Sequence, residues 1–289
     1  MSVVQAPDPL PGEGEGAVAT ETGGHRQQGR AAMTAGDRVR LVLRGIGQTL
    51  ITGGLIVLLF VVYEVYITNY FAHREQSKVH NALEQVWANG RDPLGLPGAG
   101  GVGIPLGEGI ANIYIPRLGR DFAFTIVQGS TVPTDAELEK GPAHYRDTAL
   151  PGGVGNFSVA GHRVGKGEPF LNLDQVKAGD MVIIETKTSW FVYQVLGKNG
   201  DLAQPDANGV PGREIVSPSD GNVLLPVPDH PNQPAKATDR YLTMTTCHPK
   251  FTATQRMVVH AALVSNLTTP RTGSTMPDAI NALYNAKGL

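Results

Sequence analysis

The chain reads as an all-β domain, a barrel or a sandwich with a few short helices, preceded by one membrane-spanning helix. Two features of its 289 residues predict this. From Ile110 onward, short runs rich in Val, Ile, Tyr, Phe or Thr recur between Gly, Pro, Asn and Asp, the pattern of strands joined by turns. Earlier, "GIGQTLITGGLIVLLFVVY", Gly45 to Tyr63, carries no charge and is about as long as a helix that crosses the hydrocarbon core.

Residues 1–37 are rich in Gly, Ala, Pro, Glu and Gln without hydrophobic periodicity and are expected to be a disordered cytoplasmic tail. Residues 38–67 form a basic flank and anchor. Arg38, Arg40 and Arg44 precede the span, and positive-inside bias puts the N-terminus in the cytoplasm and the rest outside. The all-round apolar surface of Leu55 to Val62 suits lipid better than a protein core. The late start and the lack of a small-x-small site before Glu64 argue against a cleaved signal peptide.

In residues 68–109, Val79, Leu83, Val86 and Trp87 recur at helical spacing up to Asn89-Gly90, which predicts a stalk helix; "RDPLGLPGAGGVGIPLGEG" follows as a Gly/Pro linker. The folded domain spans 110–267. Its strands are read in "IANIYIPRLG", "FAFTIV", "GNFSVAGHR", "DMVIIET", "SWFVYQVLG", "DRYLTMTTC" and "QRMVVHAALV". Helical interruptions are read in "TDAELEKGPAHY", where Thr134 and Glu137 form a capping-box pair, and around "PFLNLDQVKAGD". Residues 268–289 are a polar tail, with Ile280, Leu283 and Tyr284 on one face of a short last helix.

Net charge is −2 and pI about 6.4, with no Lys/Arg stripe interleaved with aromatics, so nucleic acid is not an expected partner. No HExxH, CxxC or paired-His spacing marks a metal, no cofactor is implied, and neither GxSxG nor a P-loop is present.

Chemistry concentrates at Cys247, the single cysteine, which outside the cell has no partner in its own chain for a disulfide. On "RYLTMTTC" side chains alternate: Leu242 and Met244 point to the core, while Tyr241, Thr243, Thr245 and Cys247 share the more polar face. That setting favours a reactive thiol over a structural one. A thiolate attacking a carbonyl needs a proton handler and a donor for the developing oxyanion. His162, after a strand and a glycine, suits the first, and Arg256, across a short turn from Cys247, suits the second. Spacing alone leaves His162 open as a backbone-bonded loop histidine and Arg256 as a surface charge. His248 adjoins Cys247 but should point away from it, and His260 is read as structural.

"LTMTTC" followed by Arg256, with "VAGHR" upstream and an N-terminal anchor, resembles the sortases, cysteine transpeptidases of Gram-positive cell walls. Met244 stands where the usual signature has leucine, a volume-conserving change. "IYIPRLG", "GPAHYRDTALPGGVGNFSVAGHR" and "TCHPKFTATQRMVVHA" are most similar to class E. The resemblance implies a closed barrel of about eight strands with Cys247 as nucleophile, His162 as acid/base and Arg256 as oxyanion donor. It implies cleavage of a Leu-Ala/Pro-x-Thr-Gly sorting signal between Thr and Gly. Expected partners are secreted proteins bearing C-terminal sorting signals and an amine of lipid II or peptidoglycan. Tyr145 matches a tyrosine linked to alanine in that signal, and Thr245 and Thr246 are expected at the substrate.

Two stretches stand apart. Asp92-Pro93-Leu94 departs from the Asp-Pro-aromatic lid of pilin-polymerising class C sortases and reads as linker. "TTPRTGS", from Thr269, contains most of a sorting signal, but threonine stands where leucine belongs. A pilin-polymerising enzyme and a membrane-tethered binding domain with an inert cysteine are the competing readings.

Overall fold

The computed structural model describes residues 34–63, 68–95, 103–165 and 167–286; residues 1–33 of the predicted tail and part of the Gly/Pro linker lie outside these, while Ala35–Asp37, read as the end of that tail, form the first turn of a helix capped by Thr34.

Helix α1 spans Ala35–Val62, about 42 Å at 1.5 Å per residue. Thr34 and Asp37 close its start, with the Thr34 hydroxyl donating to Asp37 Oδ2 at 2.6 Å. None of its residues is buried, and large side chains such as Leu50 and Ile51 stand exposed. The two hydroxyls within its apolar stretch are satisfied locally: Thr49 donates to the Gly45 carbonyl and Thr52 to that of Gln48. Local satisfaction is what a helix in lipid requires, because no water is there to bond them. This helix is long and apolar enough to cross a membrane.

The remaining helices are α2, Thr68–Ala88, α3, Asp135–Leu138, and α4, Asp278–Ala286. The strands are β1 Gly109–Tyr114, β2 Ala123–Gln128, β3 Ala143–His144, β4 Gly155–Ala160 and β5 Met181–Glu185. They continue with β6 Ser189–Val195, β7 Arg213–Val216, β8 Arg240–His248, β9 Gln255–Leu263 and β10 Thr269–Pro270. The order β6-β5-β1-β2-β3-β4-β8-β9 returns to β6 through a β6–β9 pairing, which closes an eight-stranded barrel. Closure leaves no open edge inside the barrel. Strand β7 lies beside the first half of β9 and β10 beside the start of β6. Pairing is antiparallel except for β2–β3 and β4–β8, which are parallel.

Leu242 and Met244 point into the main core with Phe157, Val159, Val259 and Ala261, as alternation requires. The opposite face of β8 is buried as well. Tyr241 donates to Asp206, Thr243 to Asn156, and Thr245 meets Tyr145. Loops cover it, and each hydroxyl has a partner, as buried polar groups need.

The predicted stalk helix is docked on the barrel. Leu83 and Trp87 are buried, and Gln76 exchanges hydrogen bonds with the backbone of Thr125. The tail also folds back: Thr269–Pro270 extends the sheet beside β6, and Ile280 is buried against Ile183, Trp190 and Val192. Helix α3 is shorter than "TDAELEKGPAHY" suggests, although Thr134 N donates to Glu137 Oε2 at 2.7 Å as its sequence predicts.

Candidate active site

Register brings the site together. Strands β4 and β8 run in parallel with Ala160 opposite Thr245, so His162 and Cys247, each two residues further on, come abreast. Strands β8 and β9 are antiparallel and put Arg256 directly across from Cys247. All three line one cleft of about 490 Å³. Val132, Pro133 and Leu138 form one wall, and the segment from Val216 to Leu224 forms the other.

The ladder between β4 and β8 ends where Gly161 N donates to the Thr245 carbonyl at 3.0 Å. Glycine is required here, because a Cβ on residue 161 would lie 2.5 Å from the Phe170 ring. One residue on, the Thr246 hydroxyl donates back to the Gly161 carbonyl at 2.8 Å. This threonine therefore braces the two strand ends with its side chain while also lining the cleft.

His162 keeps 15% of its side chain accessible, and its Nε2 lies 3.9 Å from Asp135 Oδ1. That separation is too long for a hydrogen bond between these two atoms, and the contact is ionic only when the imidazole carries a proton on both nitrogens. Cys247 is half-buried. Arg256 Nη1 donates to the carbonyls of Ala253 at 3.0 Å and Gln255 at 3.1 Å, which steadies the guanidinium beside the cysteine strand. Tyr145 and Thr245 meet hydroxyl to hydroxyl at 2.8 Å. Burial pushes the Tyr145 phenol above its ordinary pKa, against the Thr245 bond and the charge of Arg256. It therefore stays neutral and can both donate and accept. Asp220 also faces this cleft.

Three other histidines, His248, His260 and His144, are held by bonds away from the cleft. His248 turns its Nδ1 to Arg163 at 3.0 Å and does not line the cleft. His260 is buried between Thr243 and Glu214, at 2.8 and 2.9 Å. His144 is bonded to Gln128 and the Ala149 carbonyl, and burial lowers its pKa to about 4. Among the described residues, Glu214, Asp229 and His260 are the one group with metal-ligand spacing, their atoms within 4.8 Å of one another. His260 already occupies Glu214, and burial beside Glu214 raises Asp229 to about 7. The members of this cluster are thus already partnered with one another.

Neither of the two odd stretches reaches the cleft. Pro93 is buried and Leu94 packs on the main core; Thr269–Pro270 pairs with β6, and Arg271 donates to Glu185 at 2.7 Å. The sequence reading passed over Asp135 and the Val132–Pro133 wall. An aspartate just after a capping threonine is ordinary helix chemistry, so nothing in the sequence marked Asp135.

Comparison with known proteins agrees with this architecture. The sortase domain family model matches residues 113–264. The chain is 35% identical over 243 residues to Sortase SrtE1 of Streptomyces coelicolor, covering 82% of this chain and 60% of that protein. It therefore spans about 60% of the length of that relative. To Sortase SrtE2 of the same organism it is 30% identical over 248 residues, covering 83% of this chain and 87% of that one. Among solved structures, the SrtF sortase from Corynebacterium diphtheriae superposes with a TM-score of 0.54 at 39% identity, over 61% of this chain and 93% of that one. With the closed barrel and the meeting of the β4 and β8 ends already in place, these matches show that the chain belongs to the sortase family.

Proposed function

We propose that this chain is a class E-like cysteine transpeptidase held in the membrane by α1, with residues 1–37 cytoplasmic and the barrel outside. In this reading residues 110–267 are the catalytic domain. Cys247 attacks the threonine carbonyl of a Leu-Ala/Pro-x-Thr-Gly signal. A C–S bond forms, the Thr–Gly C–N bond breaks, and His162 gives a proton to the departing glycine amine. Arg256 donates to the oxyanion while the carbonyl is tetrahedral. A cell-wall amine such as that of lipid II then attacks the thioester and loses its proton to His162; a new amide C–N bond forms, the C–S bond breaks, and Cys247 is released as the free sulfur nucleophile. Tyr145 and Thr245 contact the signal, and Thr246 contributes next to the nucleophile.

The observation that carries this reading is the convergence of Cys247, His162 and Arg256 on one cleft. Anchoring is supported by a helix apolar enough to span a bilayer, and the outward orientation by the arginines before its apolar stretch. The test is turnover of paired Leu-Ala-x-Thr-Gly and Leu-Pro-x-Thr-Gly peptides by the full chain in detergent micelles, with and without an amine acceptor. Cleavage between Thr and Gly is expected to fall roughly 1,000-fold or more in Cys247→Ala. Cleavage that survives in Cys247→Ala rules the reading out.

A further inference from the structure

Beyond the end of the β4–β8 ladder, a second side chain besides Thr246 ties the two site-bearing segments together. Arg163, the residue after His162, is 4% exposed, and its guanidinium crosses to the far strand. Its Nη1 lies 3.3 Å from the carbonyl oxygen of Cys247 and 3.0 Å from Nδ1 of His248. Its Nη2 lies 3.2 Å from Asp174 Oδ1, which Lys250 also approaches at 3.5 Å. Burial works against the Asp174 carboxylate, but its own backbone N–H, Lys250 and Arg163 together hold its pKa below the ordinary value, so it stays an anion.

A guanidinium has no acceptor, so the bond to His248 requires a bare Nδ1 on that ring. His248 is thereby fixed in one tautomer and turned away from the cleft. The planar fork of arginine suits this task, because its donors leave the group at set angles toward three partners. A buried cation is costly unless it is paired, and a carboxylate, a carbonyl and an imidazole pair its two terminal nitrogens here, while Nε is buried with no hydrogen-bond partner among the described residues.

We infer that Arg163 is a positioning residue for the reaction, its buried guanidinium setting the spacing between His162 and Cys247. It acts on the backbone of Cys247 and through its own peptide link to His162, without touching substrate. The inference rests on the transpeptidase reading. Proton transfer within a pair of residues tolerates little displacement, since a shift of about 1 Å costs on the order of 100-fold.

The experiment uses the full chain in detergent micelles with Arg163→Met, Arg163→Lys, Asp174→Asn and His162→Ala. Two readouts are taken per folded molecule: kcat and KM on the Leu-Ala-x-Thr-Gly peptide, and the pH profile of Cys247 alkylation by iodoacetamide. The groups facing the pair, Asp135, Asp220, Tyr145 and Arg256 in the cleft with His248, Asp174 and Lys250 behind it, stay unchanged except for Asp174 in its own variant. In Arg163→Met, kcat is expected to fall at least about tenfold with KM within about threefold, and the alkylation profile to move toward that of His162→Ala. Arg163→Lys should recover part of the rate, and Asp174→Asn should fall between. Adding His162→Ala to Arg163→Met should cost little more than His162→Ala alone, because residues acting as one unit are not additive.

A purely structural role predicts the opposite: fewer folded molecules, each with wild-type kcat and an unmoved profile. That result overturns the inference, and if Arg163→Met does not fold, unmoved profiles in both Arg163→Lys and Asp174→Asn overturn it equally. A wild type with no peptide cleavage and an alkylation profile indifferent to His162→Ala overturns the transpeptidase reading itself and this inference with it.

Discussion

In the proposed function, Tyr145 is the residue that sets the preference within the sorting signal. Its hydroxyl is held 2.8 Å from that of Thr245, on a cleft wall shared with Cys247. An alanine in the sorting signal offers a backbone N–H that proline lacks, and a site that bonds this N–H is penalised when it is missing. Tyr145→Phe is therefore expected to narrow the preference for the alanine peptide over the proline peptide by roughly five- to tenfold, the value of one neutral hydrogen bond. An unchanged ratio of kcat/KM values would count against this assignment. At this scale the residue types were legible: cysteine after threonines, histidine after glycine, arginine opening the next strand. Asp135 and the Arg163 contacts were not, because their partners come from segments distant in sequence and, for Arg163, include a backbone carbonyl.

Among the elements, β7 is the instructive one. "REIV" is short and lies between proline-containing loops, and it becomes a strand only because β9 offers it an edge. It carries Glu214 to His260, which reaches Thr243 on β8; Thr243 in turn donates to Asn156 on β4. Asn156 donates to the carbonyls of Val223 and Leu225, so this chain of bonds ends at a wall of the cleft. Asp229 sits at its outer end, where burial first and Glu214 second raise its pKa from 3.8 to about 7. A raised carboxyl pKa stabilises the fold fully below about 3.8, and that contribution drains away as pH climbs to about 7. Glu214 runs the other way. Burial opposes its ionisation, but His260 and Asp229 hold its pKa below 4.5, so its contribution is present above that value and lost in acid. Asp229→Asn, which cannot ionise, should gain in Tm relative to wild type as pH is raised from about 4 to 8. Parallel Tm curves across that range would show that Asp229 does not titrate in this way.

For the whole molecule, Arg271 joins three parts far apart in sequence. It donates to Glu185 on β5 at 2.7 Å, lies 3.8 Å from Glu84 on α2, and stacks 4.6 Å above the Trp87 ring. Glu185 also accepts from Asn112 at 3.0 Å and from Tyr114 at 2.7 Å. Arg271→Ala should cost about 3 kcal/mol, the lower end for removing one partner of a buried pair, because those two donors remain. Denaturant melts measure it, and kcat of the folded fraction should stay within about twofold since the cleft is elsewhere. A loss under about 1 kcal/mol would mean that the pair is effectively solvated. Removing everything after Leu267 should likewise lower stability rather than raise peptide turnover; faster turnover would instead favour a self-recognition role for the "PRTG" stretch.

Local chemistry in the sequence was enough for the apolar span, the seven longer strands, the core-facing side of "LTMTTC" and the helical period around Leu83 and Trp87. Each depends on neighbours a few residues away, through side-chain alternation, helical period or turn residues. Barrel closure, the strands β3, β7 and β10, the docking of α2 and the return of the tail depend on pairings between distant segments, to which local pattern is blind. The site itself divides in the same way. Its residue types stood in the sequence, but it took the parallel register of β4 on β8 to set His162 abreast of Cys247, since only a shared hydrogen-bond ladder carries one strand's position to the other.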